Sequence, residues 1–383
     1  MQFDNKKTLL PVIILTMARR FHYSKEDTVY LQKLVSGKRT NRSAHKFGRF
    51  KEKTDMKKTI TKMTAIVLAA ALSGSTVFAL GQKDAPTGEK VYKIGVVQLV
   101  EHVALDASYR GFVDGLAEEG FVDGQNIKID YQNAQGEQAN CVTIAQKLVN
   151  DKDDLILAIA TPAAQAVANL TRTIPIVITA VTDPASAKLV KSNELPGTNV
   201  TGTSDLTPVE AQIKLAKQFV PNLKTIGFLY CSSEQNSKFQ IDIAKKACAE
   251  LGIKYIDATV SNSNEIQQVT QSLIGKVDAI YAPTDNMIAA GMATVAIVAN
   301  PAKIPVFCGE EGMVVQGGLA TYGINYYELG KQTAKQAAAI LRDGKKPAEM
   351  PIEYLETCDL SVNADTVKAI GIAVPAEIQA QLK

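Results

Sequence analysis

The segment Asp154-Leu155-Ile156-Leu157-Ala158-Ile159-Ala160-Thr161-Pro162 has the pattern of a buried strand that turns sharply into a helix. A run of consecutive apolar residues is typical of a central strand in a parallel sheet, and a proline is typical of the first turn of a helix. The later segment Asp278-Ala279-Ile280-Tyr281-Ala282-Pro283-Thr284 repeats this pattern. The two segments therefore predict one α/β unit of the same kind in each half of the chain.

Around both segments, short β-branched runs alternate with stretches of helical period, which predicts βα units and parallel sheets. The predicted strands cover residues 94–99, 127–131, 155–159, 174–179, 198–203, 225–230, 254–258, 277–282 and 304–308. The predicted helices of the second half cover residues 236–251, 265–274 and 286–299, and Thr207-Pro208-Val209-Glu210 predicts a capping box at the start of another. We expect an α/β fold with two doubly wound parallel-sheet lobes.

A long helix from Tyr327 to Leu341 and a β-like run from Pro351 to Leu360 remain after both sheets are complete. The simplest path returns to the first lobe and then to the second, with crossings near Thr203, Ile324 and Pro351. We therefore expect lobe 1 to hold residues 92–203 and 325–350, and lobe 2 to hold residues 204–324 and 351–383. Three crossings at one boundary make a hinge.

Residues 56–79 have the layout of a secretory signal peptide. Met56-Lys57-Lys58 leads into an apolar run from Met63 to Leu72, and Val77-Phe78-Ala79 forms a small-x-small cleavage site. We expect the mature protein to begin near Leu80.

The stretch before this leader, residues 1–55, is basic and unpatterned, and we expect it to be a non-native or mis-annotated extension; the alternative is a genuine amphipathic extension. Ala79-Leu80-Gly81 stands where a lipid-acceptor cysteine would be, so we expect a secreted protein without a lipid anchor. It would be soluble after cleavage, in the periplasm or outside the cell.

Removal of the leader reverses the net charge. Residues 1–79 hold 16 Lys and Arg against 5 Asp and Glu, which leaves 26 basic and 34 acidic residues, a net charge of −8, in the remainder. An acidic protein has no general attraction for phosphate backbones, so we expect no nucleic-acid partner.

Cofactor and metal motifs are missing from the sequence. The five cysteines have no Cys-x-x-Cys spacing, and neither a Gly-x-Gly-x-x-Gly nor a Walker loop occurs. His102 is the single histidine after residue 79. We therefore expect no cofactor and no metal site.

In open parallel sheets, ligands bind beyond the carboxyl ends of the strands, so the βα turns of both lobes are the place to look for a site. The candidate binding residues in these turns are Gln98, Glu101, His102, Leu105, Thr161, Ala163, Ala164, Thr182, Asp183, Ser233, Asn236, Asp285 and Glu310.

Two of these candidates suggest a zwitterionic ligand. The hydroxyl of Thr161 and the free backbone amides at the start of a helix could bind a carboxylate. The alternative is that Thr161 is an ordinary N-cap, which has the same sequence pattern. Asp285 could hold an ammonium group, or merely cap the next helix. Tyr109, Tyr230, Tyr281 and Tyr326 could stack on a ring or simply pack in the core.

His102 could instead serve a hydrolase or lyase as an acid–base pair with Glu101 or Asp285. We favour the interpretation that His102 forms part of a polar wall of the binding pocket, because the sequence has no second histidine nearby and no metal-type spacing of Asp and Glu. Ser233 lacks the surroundings of a nucleophile elbow. We expect the protein not to be an enzyme.

Residues 92–382 resemble the type I solute-binding proteins of ABC importers, in particular the branch typified by tryptophan- and tyrosine-binding lipoproteins. The resemblance lies in six segments in order, which are Gln98-Leu99-Val100-Glu101-His102 with Leu105-Asp106, Ala160-Thr161-Pro162-Ala163-Ala164-Gln165, Ala180-Val181-Thr182-Asp183-Pro184, Ser232-Ser233-Glu234-Gln235-Asn236-Ser237, Pro283-Thr284-Asp285-Asn286 and Gly317-Gly318-Leu319-Ala320. It implies two α/β lobes that close on a small solute and deliver it to a membrane permease driven by an ATPase.

The resemblance also implies roles for individual residues. Thr161 and Ala164 would receive a ligand carboxylate, and Asp285 the amino group. The remaining implied contacts are Ser233 and Asn236 for the polar shell, Leu105 and His102 for the side-chain pocket, and Asp183 for the cleft rim. Ala104 stands where relatives often have proline, which affects the shape of that pocket, and the lipid-acceptor cysteine is missing.

We therefore predict a monomeric, extracytoplasmic receptor for an amino acid, and we expect that amino acid to be aromatic. A sensor that presents its ligand to a membrane kinase or chemoreceptor would have the same lobes. Neighbouring permease and ATPase genes would favour import, and a histidine kinase gene would favour sensing.

Overall fold

The structure is a computed structural model that describes residues 90–382. The predicted extension and signal peptide lie outside the described residues. Among those that are described, no helix is both long and apolar enough to cross a membrane.

The first of two sheets has six strands, in the order β11-β5-β4-β3-β1-β2. Their bounds are Tyr92–Gln98 (β1), Ile127–Asn133 (β2), Leu155–Ile159 (β3), Ile176–Val181 (β4), Val200–Ser204 (β5) and Glu353–Tyr354 (β11). All pairs in this sheet are parallel. Every residue of β3, β4 and β5 is buried, as the apolar run at 155–159 indicates for a central strand.

Four helices cover this sheet and form lobe 1 with it, with bounds Val103–Glu118 (α1), Gln138–Asn150 (α2), Thr161–Leu170 (α3) and Tyr326–Asp343 (α10). Helices α1 and α10 pack closely because glycines lie at their contact. A side chain at Gly330 would collide with the carbonyl oxygen of Ser108, and one at Gly111 with that of Tyr327. Gly344 ends α10 in the left-handed conformation, at φ 66°.

The second sheet also has six strands, in the order β12-β10-β9-β8-β6-β7. Their bounds are Thr225–Cys231 (β6), Lys254–Val260 (β7), Ala279–Ala282 (β8), Val306–Cys308 (β9), Ala320–Gly323 (β10) and Asp359–Val362 (β12). Only β12 runs antiparallel, against β10. This central order repeats that of the first sheet, as the echo between residues 154–162 and 278–284 predicts.

The helices of lobe 2 are α4 (Val209–Phe219), α5 (Gln235–Glu250), α6 (Ile266–Leu273), α7 (Asn286–Ala290), α8 (Met292–Ala299), α9 (Glu311–Val315), α11 (Ala364–Ile370) and α12 (Ala376–Gln379). One apolar core fills lobe 1, and two flank the sheet of lobe 2. The predicted fold class of two doubly wound α/β lobes is thereby confirmed.

Three local predictions are wrong. Thr207 does not cap α4, because its hydroxyl donates to the carbonyl of Gly309 at 3.0 Å. The helix predicted at 286–299 is two helices, interrupted at Gly291. The crossing expected near Pro351 comes after Tyr354, because Glu353 and Tyr354 still pair with β5.

Candidate functional site

A narrow cavity lies between the lobes, beyond the carboxyl ends of the strands. Its walls are His102, Leu105, Ala180, Asp205, Thr284, Asp285, Asn286, Ala289, Glu310 and Tyr326. The space open to a water molecule is about 10 Å³, roughly the room of one water. A larger solute can enter only if the lobes or these side chains move apart.

Asp285 is the most constrained acid of the cavity, and it is 1% exposed. One carboxylate oxygen accepts the amide of Ile288 at 2.8 Å and so caps α7. The other accepts the amide of Cys231 at 2.6 Å and the hydroxyl of Ser237 at 2.7 Å. Burial, followed by repulsion from Glu234, raises the pKa of Asp285.

Glu234 lies behind Asp285 and is also buried. Its carboxylate accepts the backbone amides of Asn286 at 3.1 Å and Met287 at 3.0 Å. The Asn236 amide group donates to Glu234 at 3.0 Å and to the carbonyl of Thr284 at 2.9 Å. Asn236 therefore holds the turn that carries Asp285, and it is not among the residues that line the cavity.

Two further carboxylates face the cavity. Burial raises the pKa of Glu310 to about 7, although the carboxylate accepts the amides of Gly312 and Met313 at the start of α9. Burial likewise raises the pKa of Asp205 to about 6. Tyr326 donates to one oxygen of Asp205 at 2.8 Å, and the other oxygen is buried without a hydrogen-bond partner among residues 90–382. Among the described residues, three acids and no lysine or arginine line the cavity.

The predicted carboxylate site lies at the start of α3. Ala160, at φ 82°, takes the N-cap position of α3, so Thr161 is the first helical residue. The Thr161 hydroxyl is buried and has no hydrogen-bond partner among the described residues. Ala163 is buried beside it, whereas the amide of Ala164 donates to the carbonyl of Ala160 at 3.0 Å and is not free.

His102 precedes α1 and is 8% exposed. Burial lowers its pKa to about 4, so the imidazole is neutral at pH 7. Its Nε2 atom lies 3.4 Å from the Asn286 side-chain oxygen of lobe 2, and Nδ1 has no partner within residues 90–382. The structure pairs His102 with an amide and not with Glu101 or Asp285.

Several side chains join the lobes directly. The hydroxyls of Thr182 and Thr284 are 3.2 Å apart across the cleft. Gln240 of lobe 2 donates to the Thr182 hydroxyl of lobe 1 at 3.5 Å, and Gln165 of lobe 1 donates to Gln235 of lobe 2 at 3.0 Å. These contacts hold the lobes close together.

Other predicted residues lie outside the cavity. Glu101 and Ser233 are exposed, and each lies two residues before its helix. The Ser233 hydroxyl is 3.1 Å from the sulfur of Cys231. Gln98 is buried and donates to Asp106 at 2.7 Å, which fixes the first turn of α1. Asp183 accepts the Ser186 amide at 2.6 Å and Asn193 at 3.1 Å, so it stabilises the loop at the rim.

Asp205 lines the cavity but is not among the residues predicted from the sequence. Asp205 directly follows β5, so the rule that sites lie beyond strand ends would have found it. Of the four predicted tyrosines, Tyr326 alone lines the cavity. Tyr109 packs on Tyr131 with ring centroids 4.5 Å apart, and Tyr281 is fully buried.

Within residues 90–382, no group of three or more His, Cys, Asp or Glu side chains is arranged to hold a metal ion. The three carboxylates in the walls of the cavity can form charge-assisted hydrogen bonds with a cationic group.

Both a family model and a curated relative match most of the chain. Residues 93–382 match the family model described as ABC transporter substrate binding protein. The chain is 42% identical over 320 residues to a tyrosine-binding protein of Clostridioides difficile, which covers 81% of this chain and 92% of that relative.

Two solved structures are also similar. One is an ABC domain in complex with L-Trp from Streptococcus pneumoniae, at 41% identity and a TM-score of 0.74, covering 76% of this chain and 98% of that chain. The other is the ligand-free, open structure of a substrate-binding protein with adhesive properties from Clostridium difficile. It is 48% identical with a TM-score of 0.58, and the match covers 75% of this chain and 97% of that chain.

Proposed function

This chain belongs to the family of ABC transporter substrate-binding proteins with the type I fold, and from that premise we propose that it binds an aromatic amino acid between its lobes. It works outside the cytoplasm and delivers the amino acid to a membrane permease driven by an ATPase.

The observation that carries the proposal is the charge of the cavity. Asp205, Asp285 and Glu310 are each at least 96% buried and line one small space. Buried carboxylates without a cation are costly, and an ammonium group bound among them removes that cost. An α-amino group fits this requirement.

The carboxylate of the ligand has a matching partner in lobe 1. The buried hydroxyl of Thr161 has no hydrogen-bond partner within residues 90–382. It stands in the first turn of α3, outside the lining of the small cavity, where the helix dipole favours an anion. The acids belong to lobe 2 and to the crossing segment, so a zwitterion would connect the two lobes.

The aromatic side chain is supported by the relatives, which are a tyrosine-binding protein and a domain in complex with L-Trp. Leu105 and the Tyr326 ring supply apolar surface in the cavity, and neutral His102 adds a flat ring to the wall.

Closure of the lobes is supported by the same comparisons. The structure matches the L-Trp complex better than the ligand-free, open structure, although the open one is more similar in sequence. The lower TM-score against the open structure, at higher sequence identity, supports a closed arrangement of the lobes in this chain. Binding would select this closed state from an open one.

Isothermal titration calorimetry of the full chain tests the proposal. L-tryptophan, L-tyrosine and L-phenylalanine are titrated beside tryptamine, which lacks the carboxylate, and indole-3-propionate, which lacks the ammonium group. We expect at least one aromatic amino acid to bind and both analogues to be weaker by about tenfold or more. Absence of heat with all twenty amino acids would rule out this ligand class.

A further inference from the structure

A second concavity lies on lobe 1, at the edge where β4 and β5 begin and thus at the opposite end of these strands from the cavity. It is open to solvent and has a volume of about 800 Å³. Arg172, Lys188, Lys191 and Lys346 stand around it, together with Thr198 and Asn199. We call this concavity the basic groove.

The basic groove is positively charged, whereas residues 80–383 taken together are negatively charged. Of the residues that the structure describes, four cations and no acid line it, whereas residues 80–383 carry a net charge of −8. Within residues 90–382, no carboxylate lies within 4.0 Å of Arg172, Lys188 or Lys191. Lys346 is 4.0 Å from Glu349, and both side chains are more than 70% exposed, so this ion pair neutralises little.

The groove is built from three segments that are fixed to one another. The amide of Gly197 donates to the carbonyl of Ala348 at 3.0 Å, and the stem of Lys191 lies against Gly197. The Thr198 hydroxyl donates to the carbonyl of Leu189 at 2.9 Å. The Asn199 amide group donates to the carbonyl of Ile174 at 2.8 Å, which fixes the start of β4. The cations are therefore presented by an ordered wall.

We propose that the basic groove binds a multiply charged phosphate anion, which could be a soluble phosphate ester or the headgroup of a phospholipid. A single carboxylate would leave most of the positive charge unmatched, whereas a phosphate ester carries up to about two negative charges at pH 7. Arg172 can bind phosphate oxygens through two parallel N–H bonds, and the lysines add point charges. The groove lies within lobe 1, so its occupancy does not depend on closure of the lobes.

Calorimetric titration of the full chain with sodium diphosphate, at about 20 mM and about 150 mM NaCl, tests this site. We expect one saturable site with weaker affinity at the higher salt concentration. The double variant Lys188→Gln/Lys191→Gln should bind at least about tenfold more weakly. Lys214→Gln/Lys246→Gln makes the same change in net charge on exposed helical positions of lobe 2 and should bind within about twofold of the parent protein.

No saturable heat at low salt, or equal weakening in the two double variants, would overturn the site. Cosedimentation with vesicles of phosphatidylglycerol and phosphatidylcholine then identifies the source of the phosphate. Binding to these vesicles that diphosphate displaces assigns a lipid headgroup, and diphosphate binding without vesicle binding assigns a soluble phosphate ester. Amino-acid binding by the variants serves as the control for folding.

Discussion

Asp285 shows how one side chain can serve both the fold and the ligand. It caps α7 and holds Cys231 and Ser237, and it also faces the cavity. Three donors offset part of the cost of its burial, yet burial, followed by repulsion from Glu234, keeps the pKa of Asp285 raised. An incoming ammonium group is the charge that this cluster lacks.

Replacement of Asp285 by asparagine tests that role. We expect Asp285→Asn to weaken amino-acid binding by more than about tenfold, or about 1.4 kcal/mol, because the ligand loses a charge-assisted hydrogen bond. Calorimetry measures the change. Asp183→Asn is the matched control at the rim, where the carboxylate serves only a loop, and equal affinities for both variants would remove Asp285 from the site.

The affinity should also depend on pH. Asp205 and Glu310 have pKa values raised to about 6 and about 7, and that of Asp285 is raised as well. Among the other groups around the cavity, His102 is neutral above about pH 4 and Tyr326 is neutral throughout this range. The acids therefore lose their protons as the pH rises from about 5.5 to 8, and each lost proton strengthens ammonium binding.

We expect the Kd at pH 5.5 to be at least about tenfold higher than at pH 8. Near pH 6.5 the ligand should displace protons, which calorimetry in two buffers of different ionisation enthalpy detects as a net proton release. A constant Kd over this range, or net proton uptake, would contradict the assignment of the three acids to the ligand.

At the scale of elements, the contact between α1 and α10 fixes the position of the cavity. His102 and Leu105 belong to the start of α1 and Tyr326 to the start of α10, so these helices must lie close together for the walls to meet. Gly111 and Gly330 allow that approach because neither has a side chain at the crossing.

Gly330→Ala should therefore lower the free energy of unfolding by at least about 1 kcal/mol. The added methyl group overlaps the carbonyl of Ser108, and this overlap outweighs the better helix propensity of alanine. Urea titration followed by circular dichroism measures the effect. Lys335→Ala, on the exposed face of the same helix, should change it by less than about 0.5 kcal/mol, and similar values for both would refute the close contact.

At the scale of the whole molecule, the two lobes meet through polar side chains around a cavity that has room for about one water. Each such hydrogen bond contributes only about 0.5 to 1.5 kcal/mol net, so a few of them leave the closed and open arrangements near in energy. A bound zwitterion would add charged contacts to both lobes and shift the balance toward closure.

Small-angle X-ray scattering measures this shift. We expect the radius of gyration of the full chain to decrease when the amino acid found by calorimetry is added at saturating concentration. Asp285→Asn at the same ligand concentration should show no decrease. Superimposable curves for the parent protein with and without ligand would contradict closure on the ligand.

The sequence by itself determined the two sheets, the central strands and most of the helices, because burial of a strand and the period of a helix are properties of consecutive residues. Leu155–Ile159 was predicted to the residue. The sequence also indicated candidate binding residues that lie at strand ends or helix starts, namely Thr161, His102, Leu105 and Asp285.

Only the tertiary structure decided which side chains meet. Asp205 and Tyr326 come from two crossing segments 121 residues apart and join in one hydrogen bond, which no local pattern encodes. Glu101 and Ser233 face solvent, and the last crossing follows Tyr354, because side-chain direction and strand pairing are set by contacts between distant segments. Local burial patterns fix elements, and the packing of those elements fixes the cavity.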